Sequence, residues 1–423
     1  MPSPTPPTAL TLDDAGMPLA GGRPLKLPPQ ERAVLRLLMQ RGPGVVRKDE
    51  FAQQAWSGRD MSDEGLARCI SRVRRVVEPM GLRVEAVYGT GYRLLVPAPA
   101  GAPRPGAQAL DAWAHARQLV QQRTPAAMAR AIDILRRLVA DEPDFAAARV
   151  ALADALGVAV GWGQLPTPEA VAEGLAALDG IGADGAGEPG LQAARGALLD
   201  MAWRFDEAQA CFERALAADP DGAETLLAFS RHLLYVDDAA RAVALLRRVR
   251  GLSPHALHVR MSLARALVQA GDGAAAVQEA QATLADHPGQ LVTVAFALAL
   301  EAMVSPHPEL EEAALRLTRG ADTPPFVWTV ASFVLSRLGQ REATLDIVDI
   351  ALLCSRTTAG EAALYAAPLA AIGELDRAAD LLRRAVDERC GMMALVLRDP
   401  AHAHWLPQHP AGRMLLQRVY GIA

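Results

Sequence analysis

Apolar positions recur every three or four residues in three stretches near the N-terminus, which predicts helices over Gln30–Arg41, Lys48–Trp56 and Ser62–Glu78. Short apolar runs at Ala9–Leu12 and Pro24–Leu27 lie ahead of them, and Arg83–Val96 follows as two runs around a Gly-Thr-Gly turn. Runs of that length, bounded by turn residues, predict strands, so the order reads three strands, three helices and a hairpin. The segment PAPAGAPRPGAQ then supports neither helix nor strand pairing, because its prolines and glycines break both. An α+β domain over 8–97, a linker over 98–108 and a second domain over 109–423 are the expected organisation.

Beyond the linker the pattern is helical almost throughout, and it repeats. Ala208, Phe212, Ala215 and Pro220 return as Ala242, Leu246, Val249 and Pro254, and again as Ala276, Ala280, Thr283 and Pro288, in steps of 34 residues. An earlier copy is Ala131, Leu135, Leu138 and Pro143, and a later one is Ala378, Leu382 and Ala385 without its proline. The small residue lets two helices approach, the one four later fills the space between repeats, and proline ends the helix. Gly196 and Ala228 supply the small position in the first helix of a repeat. This period resembles the tetratricopeptide repeat over roughly residues 110–390, which implies an α-solenoid of about seven or eight helical pairs. The fold class is therefore mainly α, an N-terminal α+β domain followed by this α-solenoid. The segment from Tyr365 to Arg389, with Asp399-Pro400 and His409-Pro410 after it, is expected to cap the array.

Composition agrees: apolar residues are 51% and aromatics only 4% of the 423. That balance excludes disorder as the main state and favours helix. Four cysteines, Cys69, Cys211, Cys354 and Cys390, stand far apart in no ligand spacing, so reduced thiols and no disulfide are expected. The N-terminus has no leader pattern, and the longest apolar run, Leu291–Leu300, is too short for a bilayer. A cytoplasmic protein is expected. The net charge of −5 divides unevenly, at +4 for residues 1–97 and −9 for the rest.

On the helix Ser62–Glu78, at 100° per residue, Leu66, Ile70, Val73 and Val77 fall within about 60° of one another, while Arg68, Arg72 and Arg75 fall on the opposite stripe. Ser71 and Arg74 flank the basic stripe, and Ser62 suits an N-cap. A guanidinium row on an otherwise seated helix is most often a solvated face. Here the helix is third in its array and a hairpin follows, and that arrangement lets it lie in a major groove, with arginine reading guanine and its neighbours meeting phosphate.

The segments LPPQERAVLRLLMQ, VVRKDEFAQQAW, LARCISRVRRVVE and AVYGTGYRLLVP resemble the OmpR/PhoB-type winged-helix domain, over nearly all of residues 8–97. The resemblance implies that the third helix enters the major groove and the hairpin approaches the minor groove. By motif position, Arg68, Ser71 and Arg72 would face bases or nearby phosphate, Arg74 and Arg75 would hold the DNA backbone, and Trp56 would lie against the sugar-phosphate chain. Tyr88 and Thr90 would form the wing tip, with Tyr92 packed inside. Tyr88 stands where many members have arginine, Ser71 replaces a common arginine, and Arg47 takes the place of a capping serine.

With repeats behind a winged helix, and neither a receiver domain nor a membrane span expected, the chain resembles HilA-like transcriptional activators of the ToxR-like group. That resemblance implies a sequence-specific regulator of promoter DNA, an activator, whose loop Ser57–Met61 touches RNA polymerase. Its repeats would bind a protein, peptide or small-molecule effector or mediate self-association into a homo-oligomer. The rival reading is an adaptor whose winged helix docks protein. No nucleophile elbow, phosphate-binding loop, zinc-helix motif or dinucleotide fingerprint occurs, so neither enzyme activity nor a cofactor is expected. His402, His404 and His409 are weighed as metal ligands and set aside for want of a cysteine or carboxylate partner. Trp162, Trp203 and Trp328 are expected to pack between helices.

Overall fold

Ser62 ends its extended approach and accepts a hydrogen bond from the Gly65 N–H at 3.0 Å, starting the helix that organises the first unit. The computed structural model describes residues 10–12, 17–20, 22–41, 45–56, 61–87, 91–95, 105–122, 124–161, 163–182, 187–188, 190–318, 324–354 and 358–421. The chain divides into two units, Met1–Arg104 and Pro105–Ala423.

In the first unit, β1 (Leu10–Leu12), β2 (Pro18–Ala20) and β3 (Arg23–Pro24) form an antiparallel meander, with Leu10 opposite Ala20 and Leu19 opposite Pro24. Helices α1 (Pro29–Arg41), α2 (Lys48–Gln54) and α3 (Asp63–Val77) follow. Between α1 and α2 a two-residue strand, β4 (Val46–Arg47), pairs with β6 (Gly91–Leu95), which also pairs with β5 (Arg83–Val87) to give the order β4-β6-β5. Two residues are too few for an alternating pattern, so β4 leaves no periodic signal. Its partner does leave one: a Cβ at Gly91 would stand 2.0 Å from the Val46 carbonyl oxygen, so only glycine lets the strands meet there. One core unites the helices and hairpin through Leu35, Leu38, Phe51, Leu66, Ile70 and Val73, with Val84 and Leu94 from the strands.

The second unit is built from helices joined by short turns, which places consecutive helices side by side. Its pairs are α4 (Ala107–Gln121) with α5 (Pro125–Asp141), α6 (Ala146–Gly161) with α7 (Thr167–Asp179), and α8 (Leu191–Met201) with α9 (Phe205–Ala218). They continue as α10 (Ala223–Tyr235) with α11 (Ala239–Leu252), α12 (Leu257–Gln269) with α13 (Gly273–Asp286), α14 (Leu291–Val304) with α15 (Glu309–Leu317), and α16 (Pro325–Arg337) with α17 (Arg341–Cys354). The short α18 (Ala359–Ala363) and α19 (Ala366–Ala371) then pack on α20 (Leu375–Asp387), and α21 (Met393–Val396) and α22 (Pro410–Tyr420) close the chain.

The periodic positions do what their size dictates. Ala208, Ala242, Ala276, Ala131 and Ala378 are fully buried, as are Phe212, Leu246, Leu135 and Leu382 four residues on. At Gly196 a Cβ would stand 2.9 Å from the Phe212 ring, so the absent side chain of α8 makes room for the aromatic of α9. Trp203 and Trp328 pack against the apolar clusters, as helix-packing residues do, whereas Trp162 lies outside the described residues. His402 is buried and its Nδ1 accepts from Trp405 Nε1 at 3.2 Å, while His409 Nε2 lies 3.2 Å from Asp376, so the histidines face different partners. Among the described residues no cluster of three or more His, Cys, Asp or Glu is arranged for a metal ion.

A buried polar pair joins α8 to α10. His232 Nδ1 and Asp200 Oδ1 are 2.6 Å apart, both buried, with the Phe212 and Phe229 rings beside the imidazole. Burial pushes the Asp200 carboxyl up to about 6 against the opposing pull of His232. The folded repeats thus hold that proton more tightly than the unfolded chain does. This contribution to stability is whole below 3.8 and is lost as pH rises to about 6. Urea unfolding across that interval should show a stability slope for the repeats that Asp200→Asn flattens; an unchanged slope would assign the pH dependence elsewhere.

Candidate nucleic-acid interface

Helix α3 is seated by one face and free on the other. Leu66, Ile70, Val73 and Val77 are at most 1% exposed and Cys69 is 8% exposed, which is the seam that the 3.6-residue period places together. Burial raises the Cys69 thiol pKa, with the Glu31 carboxylate adding to it. Two ion pairs link the neighbouring helices. Lys48 at the start of α2 donates to Asp63 at the start of α3, at 2.7 Å, a bond that raises the lysine pKa. Arg41 of α1 pairs with Glu50 of α2. Glu50 also accepts from the Arg47 N–H at 2.9 Å, so the helix start that lacks a capping serine is closed by its own third residue.

The basic residues expected at the site separate into three kinds. Arg68 and Arg75 are exposed: Arg68 has only an exposed Glu64 at 3.8 Å, a pairing of small energetic weight, and Arg75 has no hydrogen-bond or ion-pair partner among the described residues. Arg72 is also outward but anchored, its Nη1 donating to Glu31 Oε1 at 2.7 Å. Arg74 is half-buried, and its Nε donates to the Val84 carbonyl at 2.8 Å, tying α3 to β5. Ser71 is exposed beside Arg72. Trp56 is half-buried against the core just after α2, and Tyr92 packs edge-on to Phe51 with ring centroids 6.3 Å apart. Tyr88 and Thr90, and the loop 57–60, lie outside the described residues.

Glu31 is the residue that the helix-face reading passed over. It sits at a buried position of α1, in phase with Leu35 and Leu38, and that placement of a charge in an apolar stripe was the available signal. Its side chain is 4% exposed, against 57% for Arg72. Arg72→Ala should therefore lower the stability of this unit by about 1–3 kcal/mol, toward the lower end because Arg72 is solvated, since the carboxylate loses its one charged partner among the described residues. Thermal unfolding would register it, and adding Glu31→Gln should recover most of the loss.

Residues 22–94 match the C-terminal domain of transcriptional regulatory proteins, and residues 233–295 match the tetratricopeptide repeat. The chain carries an OmpR/PhoB-type domain ahead of tetratricopeptide repeats. The chain is similar to the transcriptional regulator HilA of Salmonella typhimurium, 32% identical over 80 residues, which is 18% of this chain and 14% of that one. It is also similar to the transcriptional regulatory protein TctD of Salmonella typhimurium, 34% identical over 86 residues, 20% of this chain and 38% of that one. The matched stretch thus spans well under half of either relative. Among solved structures, a monomeric IFIT1 mutant with Gppp-AAAA aligns over 85% of this chain and 86% of its own, at 11% identity and TM-score 0.50, a likeness of fold. A tetratricopeptide repeat protein from Parabacteroides merdae aligns over 69% of this chain and all of its own, at 12% identity and TM-score 0.34. Among the described residues no helix is long and apolar enough to cross a membrane.

Proposed function

We propose that the chain is a sequence-specific DNA-binding transcriptional regulator, acting in the cytoplasm as an activator, with α3 of its regulator domain in the major groove. The observation that carries this reading is the pair of solvent-exposed guanidiniums, Arg68 with only the exposed Glu64 at 3.8 Å and Arg75 with no partner among the described residues, on the stripe of α3 opposite its buried seam. Arg72, held outward by Glu31, and Ser71 complete the groove-facing set; an arginine fixed by a carboxylate loses less side-chain freedom on meeting a guanine edge. Arg74 braces the wing strand, so its service to DNA is to keep α3 and the hairpin in register, with any remaining donors left for phosphate. Trp56, Tyr88 and Thr90 are assigned the flanking backbone and wing contacts, and the loop 57–61 the contact with RNA polymerase. The repeats take a protein or other effector or a second copy of the chain; Ile350 and Leu353, one turn apart on α17 and 49% and 85% exposed, favour a protein contact.

Salt separates this reading from an adaptor. If about six phosphates are neutralised, the logarithm of the binding constant should fall with the logarithm of salt concentration at a slope near −5, measured on DNA fragments selected from random sequence. A shallow dependence with no sequence enrichment would favour protein docking.

A further inference from the structure

Left-handed backbone recurs at Trp203, Asp237, Gly271, Gly339 and Gly373, each at the turn between the two helices of a repeat. These positions are separated by 34 or 68 residues. Three are glycine, which takes such angles freely, but Trp203 and Asp237 carry side chains there, at φ of 60° and 68°. Both are touched by the same distant piece of chain. The Arg389 guanidinium lies 5.8 Å above the Trp203 ring, and Arg398 Nη1 is 3.3 Å from Asp237 Oδ2.

The rest of the segment between these arginines is seated in the same way. The Gly391 N–H donates to Thr167 Oγ1 at 2.9 Å, across 224 residues of sequence, and its backbone lies against Met201. Ala394 enters the apolar cluster that holds Met201 and Tyr235. Asp399 receives Arg265 of α12 at 3.1 Å. Tyr420 braces the segment from behind: its hydroxyl donates to the Ala394 carbonyl, its ring lies 4.4 Å below the Arg398 guanidinium, and it stacks on Phe205 at 5.6 Å. The chain end is thus not only a lid on the last repeat; it turns back across the helix-to-helix turns of repeats in the middle of the array.

We propose that residues 389–399 are an internal ligand of the repeat array, and that this seat accepts a protein segment of the same chemistry when the chain's own segment leaves it. That chemistry is an arginine for the Trp203 face, a small apolar centre for the Met201–Tyr235 surface, and an arginine-aspartate pair for Asp237 and Arg265. The polar fastenings are of the reversible kind: Arg398 and Asp237 are 21% and 60% exposed, and Arg265 and Asp399 are 36% and 22% exposed. α21 itself is a single turn, packed between α10 and α20. The proposal stands apart from DNA recognition, and its test reads no DNA.

The test uses the full chain. A labelled peptide of residues 388–406 should bind the Arg398→Glu chain at least about tenfold more tightly than wild type, because the internal copy no longer competes for the seat. The same peptide carrying Arg398→Glu should bind neither. Hydrogen exchange should show the amides of 391–397 opening faster in Arg398→Glu while α20 keeps its protection, and the swap Arg398→Asp with Asp237→Arg should restore them. Equal peptide binding to both chains, binding to neither, or protection lost equally from α20 and α21 would overturn the proposal and leave the segment as plain core.

Discussion

Arg68→Ala with Arg75→Ala should abolish specific DNA binding while leaving the thermal unfolding of the N-terminal unit where it was. Each guanidinium that reaches a base edge or a phosphate contributes about 1–3 kcal/mol, and two contacts separated along one helix add nearly independently, so the pair should lose about 30-fold to roughly 20,000-fold in affinity. Stability is spared because neither side chain holds another element: Arg68 meets only the exposed Glu64, and Arg75 meets nothing among the described residues. Arg72→Ala is the instructive contrast, since it removes a groove contact and strands Glu31 together, and its affinity loss has to be corrected for unfolding. Binding titrations beside calorimetry on the same variants would separate the two kinds of arginine. Unchanged affinity in Arg68→Ala/Arg75→Ala would end the proposed role of α3.

The second large effect lies in the repeats. Phe212→Ala should cost the repeat unit about 3–5 kcal/mol, the usual range for removing a fully buried phenyl ring. Phe212 is completely buried, stacks on Phe229 at 5.4 Å and fills the space that Gly196 leaves open. The cavity cannot close easily, because the walls around it are already fixed by the close packing of α8 on α9 and by the Asp200–His232 pair alongside. Denaturant unfolding should show the repeat transition moving to much lower concentration, while the transition of the first unit, whose core is built from other residues, stays in place. A shift below about 1 kcal/mol would mean that the array tolerates the hole by repacking.

Much of this was readable in advance, and the reasons are local. A 3.6-residue period separated Leu66, Ile70, Val73 and Val77 from Arg68, Arg72 and Arg75, and the structure buries the first set and exposes the second. The 34-residue period placed Ala208, Ala242 and Ala276 at helix contacts because close approach demands a small side chain at one spot per repeat. The limits were equally physical. β4 is two residues long and exists only because Gly91 admits the Val46 carbonyl, and β3 ends at Pro24, short of the expected run.

Periodicity and residue size in the sequence alone thus determined the two architectures, their order, and the face of α3 that is free. Tertiary structure alone decided which cations on that helix are available, because a guanidinium is engaged or not according to a carboxylate 41 residues away or a carbonyl on a neighbouring strand. It likewise decided that Arg389, Arg398 and Asp399 close onto Trp203, Asp237 and Arg265. Such contacts depend on how the repeats curve in space, a sum of small rotations between helices that no short stretch of residues encodes by itself.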